Sequence, residues 1–159
     1  MSQVDSLPVA TDRVVGVIGG MGPDATAAFL QAVLHHSGPV EADQQHIPLL
    51  VFNNPQVPDR NAALAGRGPS PGPALAAMAR ALERAGAEFL VMPCNTAHAY
   101  ASAVIAATPL PFVSIVEETC RAAVTRCPGL RRAGLLGTPA CVAAGLYSAG
   151  LKADRKAHV

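Results

Sequence analysis

Cys94, Asn95, Thr96 and His98 stand together in the stretch FLVMPCNTAHAY, residues 89–100. A thiol loses its proton near neutral pH more readily than any hydroxyl, and the thiolate is both base and nucleophile. Beside amide, hydroxyl and imidazole groups, the chemistry on offer is proton transfer or nucleophilic attack next to a bound polar ligand. Phe89–Met92 is an apolar run that predicts a strand, and a helix is expected from Thr96 to about Ala107, with Asn95 or Thr96 as its N-cap. The positive end of a helix dipole favours anions, thiolates included. His98 is either the base that activates Cys94 or a capping or packing residue of the first turn. Without a third, orienting group a Cys–His hydrolase is the weaker choice.

Other residues compete for chemical roles. Gly20-Met21-Gly22-Pro23-Asp24-Ala25 fits G-x-G-x-x-A after an apolar run. A dinucleotide site would want an acid at the end of the second strand, where Asn53-Asn54-Pro55 stands instead. The turn is better read as a tight strand-to-helix connection, or as backbone N–H groups ready for a small carboxylate. Arg60, after Pro58-Asp59, is a solvated loop charge or a carboxylate clamp. Thr138-Pro139 reads as an N-cap and first helical residue, and His35 and His36 as surface residues at a helix end. Cys120 and Cys127 read as packing residues. Cys141, early in a helix after Thr138, is the other thiol to consider. The cysteines lack C-x-x-C spacing, so no metal site and no disulfide are expected.

The elements that must position these groups alternate. Val14–Ile18 predicts a buried strand, the glycine turn a helix start with Pro23 at its first position, and Gly38-Pro39 its end. Ile47–Phe52 predicts a second strand. Residues 53–73 form a long loop rich in Pro and Gly, a length that usually signals function or mobility. Ala74–Ala85 predicts a helix with Leu75, Met78 and Leu82 on one face and Gly86 as its stop. Thr108–Pro111 looks like a linker, after which strand Phe112–Val116, helix Glu117–Arg126, strand Ala133–Leu136 and helix Pro139–Ala149 follow, with Gly150 as the stop. The tail LKADRKAHV reads as frayed. Strands alternating with helices imply a parallel sheet, with sites at the strands' C-terminal ends. The expected architecture is α/β: a flavodoxin-like or Rossmann-like domain over residues 1–108 carrying Cys94, then an incomplete second α/β domain over 109–159.

Composition narrows the classes. Of 159 residues, 50% are hydrophobic and 14% charged, which suits a packed core, and the net charge of +1 gives no footprint for nucleic acid or an anionic membrane. Tryptophan is absent and aromatics are 4%, so no platform for stacking bases exists. The N-terminal MSQVDSLPVATDR lacks the apolar core of a signal peptide, and no run reaches the roughly 18 residues of a membrane span. A cytoplasmic location is expected.

Together these residues resemble the aspartate/glutamate racemase family, of the broader Asp/Glu/hydantoin racemase group. VVGVIGGMGPDATAAF is similar to its glycine-rich signature, NNPQVPDR to its substrate loop, and VMPCNTAHAY to the segment around its first catalytic cysteine. LPFVSIVEET and GLLGTPACVAAGLY resemble the start of its second half. The likeness runs from Val14 to about Leu151, and its Cys-Asn-Thr-Ala-His element is its most specific part. The resemblance implies a cofactor-independent isomerase in which two facing α/β domains each contribute a cysteine. One thiolate removes the α-proton and the other thiol returns a proton to the opposite face. It implies that Cys94 is the first acid/base, and that Asn95 and Thr96 bind the substrate carboxylate. Met21, Gly22 and Asn53 would line the cleft, Arg60 would take the side-chain carboxylate, and Thr138 would contribute from the second domain. The substrate implied is a small dicarboxylic amino acid such as aspartate or glutamate, and a homodimer is expected from exposed apolar edges. The family's second cysteine lies in a Gly-Cys-Thr-Glu segment that these residues do not contain, nor is its last helix present. The chain therefore reads as truncated before that segment, with a non-catalytic protein as the alternative, either an amino-acid-binding module or a remnant fragment of a racemase.

Overall fold

The computed structural model describes residues 13–153, with side chains to Leu151. The segment compared with a signal peptide, Arg13 excepted, and the polar end of the tail lie outside the described residues. Parallel strands β1 (Val15–Gly19), β2 (Leu49–Asn53), β3 (Phe89–Val91) and β4 (Phe112–Val113) form one sheet in the order β2-β1-β3-β4. Their register pairs Val15 with both Leu49 and Phe89, and Leu90 with Phe112. This is the order of a flavodoxin-like doubly wound sheet, as the alternating pattern implies.

β1 is buried along its whole length, and its two faces are divided by strand alternation. Val15 and Val17 join Val91 and the partly buried Phe29 of helix α1 (Pro23–His36) on one face. Ile18 and Leu90 join Leu75, Met78 and Leu82 of α3 (Gly72–Arg84) on the other. Gly16 points at this second face, where a Cβ would sit 2.9 Å from the Ala87 Cβ, so α3 and its exit turn rest directly on the backbone of β1. β2 is one edge of the sheet, with Val51 and Phe52 each 39% exposed.

The second half departs from the periodic pattern. The strand expected to open a separate unit, Phe112–Val116, is shorter and hydrogen-bonds β3, so it completes the sheet that carries Cys94. Ser114 then caps α5 (Ile115–Arg126), accepting from the Glu117 N–H. The strand expected at Ala133–Leu136 does not form: only Arg132 makes an isolated bridge, and Leu136 is fully exposed. A short apolar run becomes a strand only where a neighbouring backbone takes its N–H and C=O groups. The helix expected at Pro139–Ala149 is broken by Gly145 (φ +63°) into α6 (Pro139–Ala143) and α7 (Leu146–Ala153).

Gly150, expected as a stop, lies inside α7. It faces α5, where an added Cβ would meet the Cys120 Sγ at 2.8 Å. The missing side chain lets the two helices close around Val116, Cys120 and Leu151. Gly150→Ala is expected to destabilise the fold by about 1–3 kcal/mol through overpacking, and Cys120→Ala should recover part of that in a double-mutant cycle read by urea unfolding. Cys120 is buried as expected of a packing residue, whereas Cys127, expected to pack as well, is exposed at the C-terminal end of α5. Among the described residues no helix is long and apolar enough to cross a membrane.

Candidate active site

In a sheet ordered β2-β1-β3-β4, the chain leaves β1 toward one side and reaches β3 on the other. A crevice therefore opens beyond the C-terminal ends of β1 and β3. Cys94 stands just past β3, half-buried against the core on the α3 side, with its N–H bonded to the Met92 carbonyl at 2.8 Å. The glycine turn stands just past β1. Gly20 adopts φ +97°, its N–H donates to Thr26 Oγ1 at 2.9 Å, and the turn lies on the Asn54 backbone at the end of β2. Asn53 pairs in register with Gly19. Of the residues expected in the cleft, Gly22 is exposed, whereas the Met21 side chain is 5% exposed inside the core, so only its backbone can face a ligand.

The element after Cys94 is not the single long helix the periodicity predicts. A 3₁₀ segment spans Thr96–Tyr100, and α4 is confined to Ala101–Ile105. His98 explains the change. In an α-helix its backbone N–H would bond the Cys94 carbonyl, but here that N–H bonds the Asn95 carbonyl at 3.0 Å. The ring Nδ1 takes the Cys94 carbonyl instead, at 2.8 Å. With only a 3₁₀ turn behind it, Cys94 has no long helix dipole aimed at it.

Two bonds join this segment to the C-terminal helices. Thr96, 8% exposed, lies with its Oγ1 3.5 Å from Thr138 Oγ1, and Tyr147 Oη of α7 donates to Asn95 Oδ1. Thr138 also caps α6, accepting from the Cys141 N–H at 3.2 Å, while the Cys141 side chain is 4% exposed. The structure thus brings Thr138 to Thr96 and Tyr147 to Asn95, on the two residues that follow Cys94. Tyr147 was not anticipated. Its only signal in the sequence is that a partly buried tyrosine needs a partner for its hydroxyl. Burial raises its phenol pKa, opposed by a hydrogen bond to Thr119, and the Cys141 and Cys120 thiols add to the rise.

Arg60 begins α2 (Arg60–Leu64), a short helix inside the long loop, capped by Asp59 and packed against the Thr96–Tyr100 segment. One terminal nitrogen donates to the Val57 and Pro58 carbonyls at 3.4 and 3.3 Å. Its Nε–H is buried with no hydrogen-bond partner among the described residues. A buried donor left unpaired costs about 1–3 kcal/mol, which a carboxylate would relieve. Between α2 and α6 lies a cleft of about 630 Å³ bordered by Asn61, Leu64, Arg67, Thr138 and Ala140. A larger cavity, about 700 Å³, lies behind His98 between α5 and α7. Its lining is largely apolar, and Glu118 and Arg121 on its wall pair with each other, so it offers few free donors to a carboxylate. Cys94 lines neither of these cavities. Among the described residues no His, Cys, Asp and Glu cluster is arranged to hold a metal.

Comparison with known proteins gives a consistent result. A family model described as Asp/Glu/hydantoin racemase matches residues 18–158. The broad specificity amino-acid racemase RacX of Bacillus subtilis is 27% identical over 155 residues, covering 89% of this chain and 61% of its own length. The aspartate racemase of Picrophilus torridus superposes with a TM-score of 0.78 at 30% identity, over 89% of this chain and 59% of that one. An aspartate racemase homologue from Pyrococcus horikoshii, TM-score 0.70 at 23% identity over 92% of this chain and 62% of its own, shares the fold. The chain therefore spans about three-fifths of the length of the relatives it matches.

Proposed function

The chain belongs to the Asp/Glu/hydantoin racemase family, and from that premise we propose that it acts at the α-carbon of a small dicarboxylic amino acid, aspartate or glutamate, by cysteine acid/base chemistry without a cofactor. The observation that carries this reading is Cys94 at the C-terminal end of β3, followed by Asn95 and Thr96, with Thr138 brought to Thr96. The Cys94 thiolate takes the α-proton, and the electron pair left on carbon delocalises into the substrate's α-carboxylate. That group is held by Asn95, Thr96 and Thr138 and by the backbone after β1, from Met21 to Gly22, with Asn53 at the neighbouring strand end. An α-proton is weakly acidic, so donors on the carboxylate must offset the developing charge for the base to succeed.

Arg60 supplies the selection for a second carboxylate in this proposal, because its buried Nε–H has no partner among the described residues and its helix packs on the Thr96–Tyr100 segment. Arg60→Met is expected to weaken binding of aspartate or glutamate about 10–100-fold while leaving any binding of alanine unchanged, since a hydrogen bond to a charged group is worth about 1.5–3 kcal/mol. Titration calorimetry on both amino acids is the check, and an equal loss for alanine would remove Arg60 from the distal site.

Within these residues a thiol is placed for one face of the α-carbon. The test of the whole reading is incubation with L-aspartate and L-glutamate in deuterium oxide, following α-deuterium and chirality separately. Exchange without inversion is expected. Binding without exchange would leave the non-catalytic amino-acid-binding alternative, and neither exchange nor binding would leave the remnant fragment. Division of the chain into domains at residues 108 and 109 belongs to the same proposal, with β4 returning after the boundary to close the first domain's sheet, and limited proteolysis across Thr108–Pro111 is its check. So does a homodimer formed through the exposed β2 edge, which sedimentation of the wild type and of Phe52→Lys would test.

A further inference from the structure

One buried side chain joins the turn that carries Cys94 to the first turn of α5, across the Thr108–Pro111 segment. His98 is 6% exposed, with Nδ1 2.8 Å from the Cys94 carbonyl oxygen and Nε2 3.3 Å from the Ile115 nitrogen. A carbonyl only accepts, so Nδ1 carries the hydrogen. A backbone N–H only donates, so Nε2 must be bare. The neutral imidazole with its proton on Nδ1 is the single form that satisfies both. Each bond also meets a need of the backbone. The Ile115 N–H belongs to the first turn of α5, whose donors have no partner within the helix, and Ser114 Oγ already serves Glu117. The Cys94 carbonyl is the one that the 3₁₀ geometry leaves without the His98 N–H.

We propose that His98 is a positioning residue, which ties the Cys94 backbone to the N-terminus of α5 and leaves no ring nitrogen to act as base toward the Cys94 thiol. The importance of the tether for catalysis rests on Cys94 being the reacting group; the tether itself does not. The surroundings hold the ring neutral. Burial lowers the imidazole pKa from 6.5, opposed by the bond to Cys94 and by the charge of Glu117. From β4 the ring meets Phe112 at 5.5 Å between centroids. Across the cavity α5 presents Glu117, Glu118 and Arg121, the last two paired with each other, while α7 and the turn before it present Gly145, Leu146 and Ala149, without charge. A protonated ring would set an Nε2–H against the Ile115 N–H. Because the folded-state pKa lies below the unfolded value, the unfolded chain binds the proton more readily. The tether's contribution is thus full above pH 6.5 and is lost as pH falls through the folded-state value.

The test uses the whole chain labelled with nitrogen-15. At neutral pH the His98 imidazole is expected to show a protonated Nδ1 and a bare Nε2, and the reverse tautomer would overturn the proposal. Two variants divide the bonds: the amide of His98→Gln reaches the place of Nε2, and that of His98→Asn the place of Nδ1. Hydrogen exchange of the Ile115 amide is expected to quicken about fivefold in His98→Asn and less than about twofold in His98→Gln, one hydrogen bond being worth about 1 kcal/mol. Equal quickening in both would count against the tether. Iodoacetamide labelling of Cys94 is expected to stay within about tenfold of wild type in both, whereas loss of a general base would slow it about a hundredfold or more and overturn the assignment. The tautomer needs no variant, and none of these readouts needs turnover. A failure of the proposed catalysis in deuterium oxide would therefore leave the tether standing, and the converse also holds.

Discussion

Cys94→Ser is expected to lower α-deuterium incorporation into aspartate or glutamate by about 10²–10⁴-fold, the range that a positioned general base contributes. Serine keeps the shape of the site but not its acidity. A hydroxyl is far weaker as an acid than a thiol, so the base at this position is lost while the backbone of the Cys94–Thr96 turn has no reason to move. Substrate binding should therefore survive within a few-fold, which separates lost chemistry from lost folding. Cys141→Ser is the control. Cys141 is buried in the first turn of α6, where its N–H serves Thr138, and a serine there should leave exchange largely intact. Mass spectrometry of the amino acid gives the deuterium content, and chiral chromatography gives the configuration. Unchanged exchange in Cys94→Ser would sink the proposal that this thiol is the base. D-isomer formation by the wild type, lost in Cys141→Ser, would instead identify the second acid.

The largest expected effect on stability is at Gly20. Its φ of +97° is a conformation that costs an L-residue about 1–2 kcal/mol. An added Cβ would also stand 2.4–2.5 Å from the backbone N, C and O atoms of Asn54, which cannot rotate away as a side-chain tip does. Overpacking of this kind adds about 1–3 kcal/mol, so Gly20→Ala should lose about 2–5 kcal/mol, a large share of a domain's usual margin. The β1 turn and the end of β2 should separate together, because the Asn54 N–H is bonded to the Gly19 carbonyl at 3.2 Å and extends the ladder. Gly134→Ala is the comparison. Gly134 has no positive φ and nothing within 4 Å of its would-be Cβ, and its replacement should fall within about 0.5 kcal/mol of neutral. Urea midpoints of the two variants measure the contrast, and a Gly20→Ala loss below about 1 kcal/mol would show that the turn relaxes freely.

Legibility in the sequence follows the range of the interactions involved. β1, β3 and α3 were readable because alternation, a branched apolar run and the Leu75, Met78, Leu82 spacing are local, and burial on both sides of a central strand leaves a continuous apolar run. The strand at Ala133–Leu136 failed because such a run also needs a backbone beside it. The helix after Asn95 failed because the ring of His98, rather than its amide, takes the Cys94 carbonyl.

By itself the sequence determined the family, the α/β order of elements, and Cys94 at the end of a strand, since strand ends and glycine turns are written in adjacent residues. Tertiary structure alone decided which groups meet the residues that follow that thiol. Thr138 lies 42 residues from Thr96, and Tyr147 lies 52 residues from Asn95. No periodicity links them, and they meet only because α7 packs on α5 through Gly150 while α5 starts directly after β4 in the same sheet. The same holds for the roles of Arg60 and His98. Whether Arg60 is solvated or buried with an unpaired donor, and whether His98 is base or tether, depends on partners brought by packing from other elements. The chemistry of a side chain is set by its residue type, but its protonation and its free hydrogen-bonding groups are set by whatever the fold places against it.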